Sequence, residues 1–474
     1  MYMKKYFIYL IIIFIIYYKY RIKEIYDNTD HLKDIIVKIY SQNIEFNWLE
    51  PYKNDSAYES IGTGFFITKN LILTASHVIE KSIRVDITVP SIGKKKFKAN
   101  VLSLQPYFDF ALLKVSGISS KNFLKFGDSN KIKSGDKVIA AGYPLGQDKI
   151  KLTSGIISGI HEGEIQTDAP INPGNSGGPL LDSNNNVIGI NVSGYSNADN
   201  IGYAVPINRY KLYESEMVNP KNKLISKPIM GGSYTKTNQE ILSLYNIKDE
   251  GVLITKVYKN GPLCKAGIKS GDIISKFDNK SIDKYGEIKV DWFNEKLNLD
   301  EIFNDYKIGD KIELEYYRKN FNKKTTELIL ESNLYYKVRS IYPQFEKINY
   351  IIIGGLIFMN LKIRHLDYFS HNDLNKYYEP ENQIYDKIVL CNILKGSYVN
   401  NLELLQEGMT LDKINETEVE NVEDLLNIFK KLKKVKEKFI VFDFSDGTKL
   451  VIELSKIIEE DKFLLKKYKY EIFY

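Results

Sequence analysis

The sequence has few of the residues that build metal sites and disulfide frameworks. Its 474 residues include two cysteines and five histidines. Cys264 and Cys391 lie far apart in the chain, so they form no C-x-x-C metal or redox pair and imply no disulfide framework. We therefore expect no metal and no other cofactor.

An excess of charge of one sign is also missing. Lys and Arg number 66 against 60 Asp and Glu, a formal net charge of +6. The basic runs at 93–98 and 430–438 are short and are interpreted as solvated surface, so we expect no nucleic acid partner. Hydrophobic residues make up 43% of the chain and charged residues 27%, which is ordinary for globular proteins. The length suggests about three domains.

An uncharged apolar run from Tyr6 to Tyr18 is short for a membrane span. As a helix it reaches about 20 Å, against a hydrocarbon core of about 30 Å. No small-x-small cleavage motif follows it, and lysines flank it on both sides. We interpret residues 6–18 as an uncleaved single-pass signal anchor whose flanking Lys and Tyr side chains reach the interface. The protein is then membrane-associated, with orientation and compartment open.

From about Ser60 to Asn208 the chain consists of short β-type runs separated by Gly, Asn, Asp and Pro. This spacing predicts a barrel or a sandwich, and no long helical pattern interrupts it. The polar stretch 213–228 contains two prolines and predicts a linker. The apolar run 350–359 is too short to span a membrane and is predicted to be a buried strand.

Beyond the linker one pattern occurs twice. Residues 269–282 align with residues 406–419 at an offset of 137 positions, which predicts two copies of one small module. The second copy lacks the Gly-Asp turn that Gly271 forms in the first. Its helix is predicted to begin after Asn421, which can serve as the N-cap.

Ser176 lies in the glycine-rich stretch INPGNSGGPLLD, residues 171–182. A serine nucleophile needs backbone N–H groups that stabilise an oxyanion, and glycine lets those groups approach closely. The stretch also fits the G-x-S-x-G elbow of α/β-hydrolases. A glycine-rich surface turn is the alternative.

Two further residues favour a nucleophile. His77 ends an apolar strand in LILTASHVIE, and Asp109 precedes the apolar strand in YFDFALLKV. An α/β-hydrolase would place its acid and histidine after the serine and a helix directly behind it, whereas Pro179 and DSNNN predict strand–turn–strand. The order His, Asp, Ser is that of the chymotrypsin-type double barrel.

These motifs resemble the protease domain of the DegP/HtrA family of serine endopeptidases. The resemblance runs from about Ile61 to Pro206, through GTGFFI, LTASHVI, FDFALLKV, GYPLG, TDAPINPGNSGGPLLD and IGYAVP. GVLITKVYKNGPLCKAGIKSGDIISKFDNKSI resembles a PDZ domain of the same family. The part from INYIIIGGLIFMNL onward is similar to the divergent second PDZ-like domain of plant-type Deg proteases.

The resemblance implies site residues. His77 is expected to be the general base, Asp109 its orienter and Ser176 the nucleophile. The oxyanion loop is expected to contain Gly174, Asn175 and Ser176. The residues expected in the substrate pocket are Pro170, Asn191, Val192 and Ser193. Because position 170 carries no carboxylate, cleavage is expected after small or medium aliphatic residues rather than after Lys or Arg.

The first PDZ-like module is expected to bind peptide C-termini by strand addition. The candidate carboxylate-binding residues, in IMGGSY, are Met230, Gly231, Gly232 and Ser233. Residues 299–306 are the candidate groove helix. The family resemblance also implies a homo-oligomer, a trimer or a multiple of trimers.

The expected fold is mostly β: an N-terminal anchor helix, a chymotrypsin-like double β-barrel and two PDZ-like α+β domains. The expected boundaries are 1–48 for the N-terminal segment, 49–215 for the protease domain, and 222–335 and 340–474 for the PDZ-like domains. The expected function is a serine endopeptidase of protein quality control that hydrolyses unfolded or damaged proteins. The alternative is a chaperone or scaffold with weak proteolysis that binds peptides through its PDZ-like domain.

Overall fold

The computed structural model describes residues 31–53, 56–194, 201–290, 295–319, 323–369, 372–471 and 474. The predicted anchor at 6–18 lies outside these residues. Within the described ranges, no helix has the length and apolarity needed to cross a membrane. The chain forms two compact units. The first comprises residues up to Asn43, Glu59–Ile225 and Lys280–Lys307; the second comprises Ile44–Tyr58, Ser226–Asn279 and Ile308–Tyr474.

The first unit contains two closed six-stranded barrels. The strands of the first barrel are β1 Ile36–Asn43, β2 Tyr58–Phe66, β3 Leu71–Thr74, β4 Ser82–Thr88, β5 Phe97–Gln105 and β6 Phe110–Val115. Around the barrel they follow the order β1-β2-β3-β6-β5-β4. Apolar residues such as Phe65, Ile72 and Leu112 are fully buried in its core. Strand β1 lies N-terminal to residue 49, where the protease domain was expected to begin.

The second barrel carries the expected serine. Its strands are β7 Lys137–Gly142, β8 Lys151–His161, β9 Glu164–Thr167, β10 Pro179–Leu181, β11 Val187–Gly194 and β12 Gly202–Pro206. They follow the order β10-β11-β12-β9-β8-β7. Helix α1, Ile207–Val218, comes directly after β12. The linker predicted at 213–228 is therefore wrong for residues 213–218, because Tyr213 and Met217 are fully buried and hold this turn of the helix in the core.

The first repeated module follows. Its elements in chain order are β13 Pro228–Ile229, β14 Gly232–Lys236, α2 Gln239–Leu244, β15 Val252–Val257, α3 Pro262–Lys265, β16 Ile273–Phe277, β17 Lys280–Ser281, β18 Glu287–Lys289, β19 Lys296–Asn298, α4 Leu299–Phe303, β20 Lys311–Tyr317, β21 Lys324–Ile329 and β22 Glu331–Ser332. In the second unit, β14-β15-β16-β20-β21 form an antiparallel sheet that ends at β14. Strands β17–β19 and helix α4 belong to the first unit.

The second module completes the second unit. Its elements are β23 Tyr350–Ile353, β24 Leu356–Asn360, α5 Ile363–Tyr368, α6 Asn372–Asn375, β25 Ile388–Ile393, α7 Tyr398–Leu402, β26 Thr410–Ile414, β27 Thr417–Glu418, α8 Val422–Val435, β28 Phe439–Phe444, β29 Lys449–Glu453 and α9 Leu454–Tyr468. The sheet order is β23-β24-β25-β26-β28-β29. Asn421 caps α8 by accepting the N–H groups of Glu423 and Asp424, which confirms the predicted N-cap.

The run 350–359 is buried as predicted, but it forms a hairpin rather than one strand. Gly354 and Gly355 have φ angles of +56° and +87° and make the turn between β23 and β24. Two adjacent glycines at positive φ reverse the chain without steric cost. The single-strand prediction is therefore wrong.

The predicted repeat corresponds to matching elements at the centre of the two modules. Strand β26 starts and ends 137 positions after β16, and β27 stands at the same offset from β17. Gly271 and Gly408, also 137 positions apart, have φ angles of +90° and +92°. The second copy has thus kept the glycine of this turn. The modules differ at one edge: β14 ends its sheet, whereas its counterpart β24 is paired with β23.

Candidate functional site

His77 and Asp109 lie on neighbouring turns of the first barrel. His77 is in the 3₁₀ turn Ser76–Val78 that follows β3, and Asp109 directly precedes β6. His77 Nδ1 and Asp109 Oδ2 are 2.6 Å apart, and the backbone N–H of His77 donates to Asp109 Oδ1 at 2.8 Å. An ionised carboxylate only accepts hydrogen bonds, so Nδ1 carries the proton and Nε2 is left as a base.

Opposing effects set the pKa of His77. Burial lowers it, because the imidazolium loses hydration. The hydrogen bond and negative charge of Asp109, with a contribution from Glu80, outweigh burial, so the pKa lies above its ordinary value. The side chain of His77 remains 42% exposed and accessible to a substrate.

Ser176 lies in the loop between β9 and β10, where the glycines have a steric function. Gly174 and Gly177 have φ angles of +99° and +82°. A Cβ on Gly177 would lie 2.1 Å from Thr74 Oγ1, and one on Gly178 would lie 2.1 Å from Ala141 O. Neither position has room for a side chain, so the loop approaches the backbone of both barrels closely.

Thr63, in β2 of the first barrel, holds the Ser176 loop in place by hydrogen bonds. Its Oγ1 donates to Gly174 O at 2.6 Å and accepts the N–H of Tyr143 at 3.1 Å. Its backbone N–H donates to Ser176 O at 2.9 Å. The side chain is fully buried. In the sequence, the only sign of this role is the position of the Thr63 hydroxyl between two glycines, beside an apolar strand.

The N–H groups of the loop divide into two sets. That of Asn175 donates to Asn172 O and that of Gly178 to Asn175 O, both at 2.9 Å, so these two serve the loop itself. Within the part of the chain that the structure describes, the N–H groups of Gly174 and Ser176 have no backbone acceptor. Ser176 Oγ donates to Val192 O at 3.1 Å. Of the three expected oxyanion residues, Gly174 and Ser176 therefore keep donors that can serve a ligand.

The expected pocket residues have different surroundings. Asn191 is buried, and its backbone accepts the N–H of Gly177 at 2.7 Å and donates to Gly178 O at 2.8 Å, so it supports the serine loop. Val192 is buried and accepts the Ser176 hydroxyl. Pro170 is exposed, and its carbonyl accepts from Thr153 Oγ1 at 3.0 Å. The side chain of Ser193 lies outside the described part.

The four residues expected to bind a peptide carboxylate lie together at the start of β14. Gly231 has a φ angle of +80°. The N–H of Leu263 donates to Met230 O and that of Tyr258 to Gly231 O, both at 2.9 Å. The Ser233 and Tyr258 hydroxyls are 2.5 Å apart. The candidate groove helix is shorter than expected, because α4 ends at Phe303.

Another histidine, His365, has surroundings that do not suit a general base. It is fully buried, and its ring meets Trp48 edge-on at 5.2 Å. Its Nδ1 accepts the N–H of Lys362 at 3.0 Å. Burial lowers its pKa to about 3, so this imidazole stays neutral and structural.

Comparison with known families divides the chain into three parts. The model of the trypsin-like peptidase domain matches residues 62–190. Models of PDZ domains match residues 228–330 and 342–472. The three matches follow one another without overlap.

Two named relatives and one solved structure illustrate what the chain is similar to. A probable periplasmic serine endoprotease DegP-like of Rickettsia prowazekii is 30% identical over 454 residues, which cover 91% of this chain and 83% of that relative. The serine protease Do-like HtrB of Bacillus subtilis is 33% identical over 279 residues, 54% of this chain and 58% of that relative. A solved structure of the HtrA-type protease AlgW with a decapeptide is similar in fold, with a TM-score of 0.50 and 22% identity over 65% of this chain and 98% of that one. The chain belongs to the DegP/HtrA family of serine endoproteases and has a trypsin-like peptidase domain followed by two PDZ domains.

Proposed function

We propose that His77, Asp109 and Ser176 are the catalytic triad of this serine endoprotease. The observation that carries the proposal is the double hydrogen bond from His77 to both oxygens of Asp109. It fixes the imidazole with Nε2 as the free base, which is the arrangement a serine nucleophile requires. The steric demand for glycine around Ser176 supports the same assignment, since an oxyanion loop needs close backbone approach.

In the proposed reaction, His77 Nε2 takes the proton of Ser176 Oγ as the hydroxyl attacks the scissile carbonyl. The N–H groups of Gly174 and Ser176 stabilise the resulting oxyanion. His77 then protonates the leaving amine, and water hydrolyses the acyl-enzyme by the same route. Because Ser176 Oγ donates to Val192 O, the hydroxyl has to rotate away from this carbonyl before it can donate to His77.

The proposed substrates are unfolded or damaged polypeptides. Position 170 is a proline, so no carboxylate is available there to bind a Lys or Arg side chain, and small or medium aliphatic residues are the proposed cleavage sites. Peptide C-termini are proposed to bind the first PDZ module at Met230–Ser233 and add a strand to β14, which ends its sheet.

Two proposals concern the assembled protein. Residues 6–18 are proposed as a membrane anchor, and the relatives named periplasmic favour a catalytic domain outside the cytoplasm. The protein is also proposed to assemble as a trimer or a multiple of trimers.

The test of the triad is active-site labelling with a fluorophosphonate, combined with casein cleavage. Wild type is expected to react and to cleave casein, whereas Ser176→Ala is expected to lose both reactions and keep its fold, because only Oγ is removed. His77→Ala should be almost as damaging, since members of a triad act as a unit. Ser183→Ala, in the exposed turn after β10, is the matched control and should behave as wild type.

Two results would count against the proposal. Wild-type turnover by Ser176→Ala would place the nucleophile elsewhere. A folded wild type that is not labelled, under conditions in which a known serine protease reacts, would favour the chaperone or scaffold.

A further inference from the structure

Arg209 lies at the start of α1 and is buried, with 8% of its surface exposed. Its Nη2 donates to Gly163 O at 3.0 Å, in the turn between β8 and β9. Its Cζ lies 5.0 Å from the ring centroid of Phe108. Phe108 directly precedes Asp109, so the guanidinium is in contact with the turn that carries the proposed orienter of His77.

This turn depends on its neighbours for its shape. Asp109 has a φ angle of +55°, a left-handed conformation that a residue with a Cβ adopts only when its surroundings hold it there. Gln105 Oε1 accepts the N–H groups of Tyr107 and Phe108 at 2.8 and 3.1 Å. The cation of Arg209 adds an attraction to the Phe108 ring.

Gly163 also connects Arg209 to the segment 280–307. Its N–H donates to Glu301 Oε1 at 3.2 Å, while its carbonyl accepts from Arg209. Glu301 belongs to the capping box of α4 with Asn298. A Cβ on Gly163 would lie 2.9 Å from Arg209 Nη2, so glycine is what permits this double contact.

The charge of Arg209 is compensated at a distance. The negative charges of Asp305 and Glu164 raise the pKa of Arg209. Among the described residues, however, no carboxylate lies within 4.0 Å of the guanidinium as an ion pair, and Arg209 Nε has no acceptor. Burial lowers the pKa of Arg209 and raises those of Glu164 and Asp305. Tyr107 and Tyr213 would act on the guanidinium only as phenolates, so as neutral side chains they compensate none of its charge.

Other charged groups face these two carboxyls. Lys280 acts on the pKa of Asp305 through its charge, and Asp109, Glu162 and His161 act on that of Glu164. Asp109 thus acts on Glu164, and Glu164 and Asp305 act on Arg209, so the Asp109 turn and the segment 280–307 both influence the surroundings of the guanidinium. A buried cation without a close partner is sensitive to small movements of the groups that compensate it.

We propose that Arg209 is a positioning residue for the protease reaction, holding the Asp109 turn through its contact with Phe108. Arg209 is also linked to α4, because Gly163 bonds both Arg209 and Glu301. In this proposal, a movement of α4 would be transmitted through Gly163 and Arg209 to the Asp109 turn and would change how Asp109 holds His77. The proposal rests on the assignment of Asp109 as the orienter.

The test uses the full chain with Arg209→Met, which removes the charge and the planar fork and keeps a long apolar side chain. We expect kcat on a small fluorogenic peptide to fall about tenfold or more, with little change in KM, because a displaced catalytic group slows the chemical step. The acidic inflection of kcat/KM should move to lower pH, since a looser Asp109 leaves burial to dominate the pKa of His77. Arg209→Lys, which restores the charge without the fork, should give a smaller shift in the same direction.

Tyr213→Phe is the matched control. It lies on the same helix and loses the hydroxyl that donates to Tyr306 O at 3.3 Å, but keeps its ring beside Phe108. We expect it to retain the wild-type inflection.

The melting temperature of each variant separates positioning from stability. A lower melting temperature with wild-type kcat and inflection in the folded Arg209→Met protein would make the role purely structural and overturn the proposal. Should Arg209→Met fail to fold, Arg209→Lys decides: a shift to lower pH supports the proposal and an unchanged inflection overturns it.

Asp109→Asn is measured in parallel. Full activity of Asp109→Asn would contradict the triad itself, whereas its inactivity beside unaffected Arg209 variants would contradict this inference alone.

Discussion

At the scale of single residues, the raised pKa of His77, the proposed general base, is expected to determine how activity responds to pH. The general base has to be neutral, so kcat/KM should rise with pH and have its acidic inflection above the ordinary value of about 6.5. Asp109→Asn removes the two effects of Asp109 that raise this pKa and leaves burial, so the inflection should fall below that of wild type. Activity should fall by about four orders of magnitude, as in other triads that lose their carboxylate. The pH profile of cleavage of a short fluorogenic peptide measures both changes.

Glu80→Gln is the control for this prediction. Glu80 adds a smaller raising effect through its charge, so its loss should lower the inflection slightly and leave the plateau at high pH unchanged. An inflection of Asp109→Asn at or above that of wild type would contradict the assigned cause.

The sequence marks the three proposed catalytic residues more clearly than the residues that support them. His77, Asp109 and Ser176 have distinctive chemistry and neighbouring motifs, so each could be singled out from the chain alone. The GTG motif could draw attention to Thr63, but the roles of Thr63 and Arg209 could not be predicted. Their partners, Gly174 and Gly163, lie 111 and 46 positions away, and no local pattern identifies such partners.

At the scale of elements, the two PDZ modules differ in the strand that a peptide would join. In the first module β14 ends the sheet, whereas in the second its counterpart β24 is already paired with β23. A peptide with a free C-terminal carboxylate and a photoreactive side chain should therefore crosslink to residues 229–236 of the full chain. The amidated peptide should bind at least about tenfold more weakly, because it lacks the charge-assisted hydrogen bonds. Mass spectrometry of the crosslinked fragments identifies the site, and crosslinks confined to 350–360 would contradict the prediction.

Substitution of Gly231 or Gly232 is unsuitable for this purpose. A Cβ on Gly231 would lie 2.6 Å from Pro262 Cδ, and one on Gly232 would lie 2.6 Å from Lys256 O. Such variants would disturb the packing of the module and leave the cause of any lost binding ambiguous.

Element boundaries were predicted where local signals are strong. The N-cap at Asn421 and the 137-residue repeat depend on side chains and turns that the sequence displays directly. The predictions of a single strand at 350–359 and of a linker that includes residues 213–218 were wrong, because the partners that bury these segments lie elsewhere in the chain. Helix α4 was predicted too long, since its polar C-terminal residues continue the same local pattern.

At the scale of the whole molecule, residues 6–18 are expected to determine where the protein is found. Deletion of residues 1–24 should move it into the soluble fraction and leave the fluorophosphonate labelling rate per molecule unchanged, because the segment precedes the barrels. Fractionation and labelling of both forms measure the change in location and the labelling rate.

Light scattering of the soluble form should give a mass of three chains or a multiple of three. A full-length protein that is soluble with its first residues intact would refute the anchor.

The hairpin of Gly354 and Gly355 has a consequence for competition between ligands. Strand β23 is joined to β24 by two residues, so it faces that edge at an effective concentration of at least millimolar order. A free peptide present at micromolar concentration competes against roughly a thousandfold excess of this tethered strand. Strand β23 therefore occupies this edge of β24 in the second module. Saturation with peptide should take one equivalent per chain rather than two.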